Sequence, residues 1–279
     1  MRHNLVFLFL LVLFWGMAQK TSTNQVDHAL FKAKIDQLSR IKGNSLGDSL
    51  IYIGKSFLGI PYVEKTLELG QTESLVINLR GLDCTTYVEN TLALGLLLQE
   101  GQNDFNSFAL NLKTIRYRNG KIAGYPSRLH YFTEWIRDNQ KKGLIRDITG
   151  ELGGISHNKP INFMGTHRNL YPFLKSDENF ERILEMEAKV AQEPFCYLPQ
   201  DQISKQEQNI QSGDIIALAT AIKGLDVTHT GFAIRMPTGR IHLLHASSSG
   251  SVQITKEPLE VYLKKIKNNI GIMVARPIF

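Results

Sequence analysis

Apolar residues recur at helical spacing over residues 27–41, until the chain reaches Lys-Gly-Asn-Ser, and residues 46–57 read as a second helix closed by Gly59 and Pro61. The run ESLVINL, residues 73–79, has the composition of a short strand. Beyond Cys84, the residues Val88, Leu92 and Leu96 fall four apart, one apolar stripe on a helix that Gly101 can end. Further helical patterns cover 105–117, 129–139 and 179–191, parted by loops that carry Gly and Pro. The period then changes. GDIIALAT, VTHTGFAIR, RIHLLHAS and IGIMVARPI are short apolar or alternating runs, with a helical PLEVYLKKI before the last. Helices first and strands last predict an α+β fold in which a helix docks on one face of an antiparallel sheet.

The N-terminus follows another pattern. Arg2 and His3 precede an unbroken apolar run from Leu5 to Trp15, and the small residues Gly16 and Ala18 stand where a signal peptidase reads. Residues 1–18 are expected to be a signal peptide cleaved near Ala18, which implies export to the periplasm or the extracellular space. The run is shorter than the roughly 20 residues of a membrane span, so no stable membrane insertion is expected after cleavage. An uncleaved anchor is the alternative. Residues 19–45 are read as an N-terminal helical extension, and 46–279 as a single catalytic domain with a helix-rich insertion at about 100–210.

Composition places the chain among globular proteins, with 43% hydrophobic and 21% charged residues. The formal charge is +6, but Lys and Arg are scattered with no run of five, so no nucleic-acid partner is expected. A mildly positive field favours an anionic partner, such as a polymer bearing carboxylates. No cofactor is implied. Export would allow the two cysteines, Cys84 and Cys196, to form one disulfide. Their contexts differ, however: Cys196 lies in the apolar EPFCYLPQ and reads as structural, whereas Cys84 opens a helix.

A helix N-terminus lowers the pKa of a thiol there, and its free N–H groups can hold an oxyanion formed when the sulfur attacks a carbonyl. A thiol nucleophile also needs a base, and the strand region offers His229 in VTHTGFAI and His245 in LLHASSSG. If Pro-Thr-Gly, residues 237–239, is the hairpin loop with Gly239 left-handed, His245 falls opposite Gly231 and His229 opposite Ser247, on one face. The two imidazoles are then diagonal neighbours, close enough for one to fix the tautomer of the other. The blander alternative is a pair of satisfied sheet histidines. A zinc site built from Cys84, His229 and His245 is the competing chemistry, but no H-x-x-x-H or C-x-x-C spacing supports a metal.

These residues resemble those of the NlpC-type cell-wall cysteine hydrolases, a papain-like superfamily. The members carry a Tyr-bearing segment, an Asp-Cys at a helix start, His-x-Gly on a strand and His-Ala-Ser on the next. Here LGIPYVEKT supplies Tyr62, GLDCTTY supplies Asp83 and Cys84, HTGFAI supplies His229 and LLHASS supplies His245. The resemblance implies a papain-like fold with the nucleophile helix packed on an antiparallel sheet. It makes Cys84 the nucleophile, His229 the base and acid, His245 its orienting partner, and Tyr62 a hydroxyl donor beside the oxyanion. Asp83 would position substrate or the helix start. The departures are the 145-residue separation of Cys84 from His229 and the Val-Glu after Tyr62 where Trp-Gly-Gly is common.

Such a long insertion resembles the N-acetylmuramoyl-L-alanine amidase-like branch, whose members carry a segment similar to YPSRLHYFTEWIRDNQKKG. In it, Ser127 reads as an N-cap and Leu129, Phe132 and Ile136 as a helical stripe, with Arg128 and His130 off the stripe and free to bind a carboxylate or sugar. Tyr125 reads as structural. The branch implies peptidoglycan or muropeptide fragments as substrate, cut at the muramoyl–L-alanine amide. A stem-peptide endopeptidase cutting after D-glutamate, or a non-catalytic cell-wall binding module, are the alternatives.

Overall fold

The computed structural model describes residues 21–39, 43 and 45–279. The expected signal peptide and its cleavage point lie outside these residues. The chain opens with β1 (Thr21–Ser22), α1 (Gln25–Leu38), α2 (Leu46–Lys55) and β2 (Leu75–Val76), which pairs in parallel with β1. Then come α3 (Cys84–Gln99), α4 (Phe105–Arg116) and α5 (Phe132–Lys141). The middle continues through β3 (Ile145–Asp147), β4 (Ile155–His157), α6 (Phe163–Thr166), α7 (Asp177–Val190), β5 (Phe195–Pro199) and α8 (Ile203–Gln206). The last third holds β6 (Ile215–Thr220), β7 (Val227–Arg235), β8 (Ile241–Ala246), β9 (Val252–Ile254), α9 (Leu259–Lys264) and β10 (Asn269–Pro277).

The large sheet is antiparallel and runs β4-β5-β10-β6-β7-β8-β9, with β3 also pairing to β10. Alternate residues of its central strands enter two different cores. Ala217, Ala219, Phe232, Ile234, Leu244 and Met273 join the core shared with α3, while Ile216, Leu218, Ala233, Leu243 and Val274 pack with Ile203, Leu259 and Leu263 on the other face. Burial on both faces explains why β6 and β8 read as nearly unbroken apolar runs.

The stripe expected on α3 is too narrow. Every residue of α3 from Thr86 to Leu97 is buried, because the sheet covers one side while α2 and α4 cover the others with Leu50, Ile53, Phe108 and Leu112. Gly95 permits this: a Cβ there would lie 2.7 Å from Leu50 Cδ2. A buried ion pair fixes the layer, since Arg116 Nε donates to Glu89 Oε2 at 2.6 Å and its Nη1 donates to the Val76 carbonyl at 2.6 Å. Removing one partner of such a pair leaves an uncompensated buried charge. Helix α1, read from sequence as an extension, places Phe31, Ile35 and Leu38 in the same core, and Asp27 accepts from the Leu79 N–H at 3.0 Å.

The structure corrects the start of α5. The sequence pattern put it near Leu129 with Ser127 as the cap. Instead Tyr125–Ser127 is a single 3-10 turn, Arg128 and Tyr131 have extended backbone, and the helix begins at Phe132. The Ser127 hydroxyl is engaged with Gly124 O at 2.6 Å and Ala123 N at 2.9 Å, so it caps nothing downstream. The cap comes from across the fold, where Asp226 Oδ2 accepts from the Thr133 N–H at 2.7 Å.

Candidate active site

Cys84 is the first residue of α3, and Asp83 before it closes a capping box. Asp83 Oδ1 accepts from Thr86 N and Thr86 Oγ1, both at 2.8 Å, and the Asp83 N–H donates to Thr86 Oγ1 at 2.9 Å. Of the two sequence expectations for Asp83, positioning the helix start is what these contacts do. The thiol is half-buried and free, as is that of Cys196 on β5. The main chain of Thr230 and the side chain and main chain of Thr85 lie beside the Cys84 thiol and favour its charged form. Thr230 is the neighbour of His229 on β7, so the helix start and the histidine strand meet beside Cys84.

The hairpin that carries the histidines has the expected form. Gly239 takes φ +81°, its N–H donates to Met236 O at 2.8 Å, and Met236 N donates to Arg240 O at 2.9 Å. The pairing runs from Arg235 opposite Ile241 to Phe232 opposite Leu244, and continuing it sets Gly231 against His245 and Ser247 against His229. The rings meet on the diagonal: His229 Nε2 and His245 Nδ1 are 2.6 Å apart, with the ring planes at 88°. The two nitrogens point at one another, as hydrogen-bond partners do and ligands converging on an ion do not. Among the described residues, no group of three metal-binding side chains occurs. A Cβ on Gly231 would lie 2.8 Å from His245 Cβ, so only glycine lets the rings approach this way. A bulge that the sequence did not reveal also helps, since Thr228 is an extra residue where Leu218 pairs with His229 and Ala219 with Val227.

Burial sets the charge states. It lowers the His229 pKa to about 4 and, helped by the charge of His229, that of His245 to about 3. The expected activation of the resting thiol does not hold. Burial first, and the Asp83 carboxylate second, push Cys84 up to about 12 against the lowering effect of the Thr230 and Thr85 hydrogen bonds. At neutral pH the site therefore holds a thiol and two neutral imidazoles.

Tyr62 enters from a separate loop. Its N–H donates to Gly250 O at 2.8 Å, Leu82 N donates to Pro61 O at 3.0 Å, and Tyr62 bridges to Leu82 two residues before Cys84. Burial first, then the charges of Cys84 and Asp83, raise its pKa, which keeps the phenol a donor at neutral pH. Tyr262 on α9 was missed from sequence. Its ring stands edge-on to His245 at 5.6 Å, and its pKa rises through burial and the nearby Cys84. The apolar period of PLEVYLKKI marked the helix and gave no sign that its tyrosine faces the histidines.

Arg128 and His130 gather elsewhere. Arg128 is 5% exposed rather than on a helix surface, and its Nη2 donates to Glu68 Oε1 at 2.8 Å while its Nε lies 3.4 Å from Glu73 Oε1. Burial works against its charge, but Glu73 and Glu68 outweigh it and raise the pKa. His130 Nε2 meets Tyr125 O at 2.9 Å, and burial followed by the Arg128 charge holds its pKa well below the usual range. Chain carboxylates thus occupy the guanidinium that sequence reasoning reserved for a ligand. Glu68 and Glu73 end the segment that begins at Tyr62, so Arg128 ties the middle of the chain to that loop.

The family model described as N-acetylmuramoyl-L-alanine amidase-like (AmiA-like) matches residues 52–272. Among solved structures, an N-acetylmuramoyl-L-alanine amidase from Bacteroides uniformis superposes with a TM-score of 0.79 at 37% identity, covering 84% of this chain and 99% of its own. A protein from Bacteroides fragilis named as a putative xylanase gives a TM-score of 0.76 at 42% identity over 81% of this chain and 99% of that one. Protein LPG0564 from Legionella pneumophila gives 0.68 at 25% identity over 90% and 94%. No curated protein matches the chain.

Proposed function

The chain belongs to the N-acetylmuramoyl-L-alanine amidase-like family, and on that premise we propose that it is an exported cysteine amidase of papain-like, NlpC-type architecture. It hydrolyses the amide between the muramoyl lactyl group and L-alanine in peptidoglycan or muropeptides. The observation that carries this reading is the 2.6 Å contact of His229 Nε2 with His245 Nδ1, one residue from Thr230, whose main chain lies beside the Cys84 thiol.

In the proposed reaction, His229 Nε2–H donates to His245 Nδ1, which leaves His229 Nδ1 unprotonated as the base. Cys84 Sγ attacks the lactyl carbonyl carbon and its proton passes to His229 as the C–S bond forms, so no preformed thiolate is needed. The oxyanion is held by the Cys84 N–H and the Tyr62 hydroxyl. The Thr86 N–H is already bound to Asp83 and so takes no part. His229 then protonates the alanine nitrogen, the C–N bond breaks, and the stem peptide leaves. Water, deprotonated by His229, cleaves the thioester and restores the thiol. The leader read in residues 1–18 and the described residues, in which no helix is long and apolar enough to cross a membrane, fit a wall substrate outside the cell.

A glycosidase reading, raised by the xylanase name of one neighbour, needs two carboxyl groups facing a glycosidic bond. At this site Asp83 is committed to the helix cap. The test is mass spectrometry of a defined N-acetylmuramoyl tripeptide after incubation with wild type and Cys84→Ala. Release of the intact stem peptide by wild type alone supports the amidase. Cleavage after D-glutamate identifies an endopeptidase, and an unchanged substrate identifies a binding module.

A further inference from the structure

Residues 125–133, in the middle of the chain, are buried apart from a half-buried His130, and they touch both halves of the site. At one end the Thr133 N–H is bound to Asp226, three residues before His229. Nearer the other end the Leu129 N–H donates to Arg116 O at 3.0 Å, and Tyr125 stacks on Phe173 with the ring centres 4.8 Å apart. Between these fixed points Arg128 reaches the loop that starts at Tyr62. Its guanidinium carbon lies 4.9 Å from the centre of the Tyr125 ring, and its nitrogens meet Glu68 and Glu73 together. The Tyr125 hydroxyl is 3.5 Å from the same Glu68 Oε1.

The loop needs a hold of this kind. The Val63 N–H donates to Leu82 O at 3.1 Å, but Val63, Glu64 and Lys65 are exposed. Lys65 takes φ +59°, a left-handed conformation that a residue with a side chain keeps only where its surroundings enforce it. The Glu68 N–H donates back to Lys65 O at 3.0 Å, so whatever fixes Glu68 also fixes that turn. We propose that Arg128 is a positioning residue for the reaction: by holding Glu68 it keeps the Tyr62 loop in register with the histidine strand, so that the Tyr62 hydroxyl meets the oxyanion. The proposal rests on the reading of Tyr62 as the oxyanion donor. Arginine suits the task because one planar fork reaches two carboxylates, which the point charge of lysine does not. Glu73 is held as well by the Tyr117 hydroxyl at 2.7 Å, so of the two carboxylates Glu68 depends more on Arg128. The middle of the chain thereby acts on the chemistry without touching the substrate, and a donor misplaced by about 1 Å can slow a reaction about 100-fold.

The test is a double-mutant cycle. Glu68→Ala frees the loop and leaves Arg128 beside Glu73, so no buried charge is stranded. On N-acetylmuramoyl-L-alanyl-D-isoglutamine its kcat should fall about tenfold with KM near wild type. In a Tyr62→Phe background the same substitution should change kcat less than about twofold, because no hydroxyl is left to misplace. Arg128→Lys should repeat the pattern. A slow Tyr62→Phe enzyme in which Glu68→Ala still costs about tenfold overturns the proposal alone. A Tyr62→Phe enzyme as fast as wild type overturns the oxyanion reading beneath it. Hydrogen exchange followed by NMR reads the clamp without turnover. The Tyr62 and Val63 amides should exchange about tenfold faster in Glu68→Ala, while those of Leu92 and Leu96 in α3 keep the wild-type rate. Unchanged exchange at Tyr62 and Val63 overturns the proposal, whichever bond the enzyme cuts.

Discussion

Acidification should unfold this protein through its histidine pair, and the size of the effect follows from the site. The His229 ring is neutral in the fold down to about pH 4, whereas an unfolded histidine titrates near 6.5. Between those values the unfolded chain binds a proton that the folded chain refuses, so stability falls as the pH falls. The contribution of His229 is fully present above about pH 6.5. Using those two pKa values, it shrinks by about 2 kcal/mol at pH 5 and about 3 kcal/mol at pH 4, upper figures because the ring is partly exposed. His245, lowered to about 3, adds to the loss in the same direction. Urea unfolding followed by the fluorescence of Trp135, which is fully buried, measures this at pH 7 and pH 5. The difference between the two pH values should be about 2 kcal/mol smaller in His229→Gln than in wild type. Equal losses in the two proteins would mean that the ring is solvated and charged in the folded site, and the thiol–imidazole description would fail.

Three further outcomes are expected. Asp83→Ala removes the cap of α3 and should cost about 1–2 kcal/mol, visible as a fall in Tm; Asp83→Asn keeps most of the cap, removes the charge that raises the thiol, and should speed iodoacetamide labelling of Cys84 at pH 8. Glu89→Ala strands Arg116 in the core and should lower the unfolding free energy by about 3–5 kcal/mol in urea titration. Tyr62→Phe should reduce kcat on the muramoyl substrate about 100-fold or more while leaving KM near wild type, the signature of a donor used in the transition state.

Much of the site was legible because local chemistry fixed it. Asp83 followed by Cys84 and Thr86 is a cap and a helix start in one phrase, and α3 begins there. Gly239 sets the hairpin loop, the loop sets the register, and the register puts His229 beside His245. What escaped depends on contacts distant in sequence. The helix dipole argued for an acidic thiol, but the burial that outweighs it comes from the whole fold packed around the start of α3. The cap of α5 is Asp226, 93 residues beyond Thr133, so the local sequence pointed to Ser127 instead. Arg128 read as free for a ligand because Glu68 and Glu73, some 60 residues earlier, carry no mark of their pairing with it. The short strands β3 to β5 are too brief to show a period, and they exist because β10 and one another offer them edges.

The central claim is that the Cys84 sulfur carries the muramoyl group in mid-reaction. Acid quenching of a single turnover on N-acetylmuramoyl-L-alanyl-D-isoglutamine, followed by peptide mapping at low pH, measures it directly. The account expects a thioester-linked muramoyl mass on the peptide containing Cys84, absent in Cys84→Ala. Turnover by Cys84→Ala, or an acyl adduct on any other residue, would contradict it.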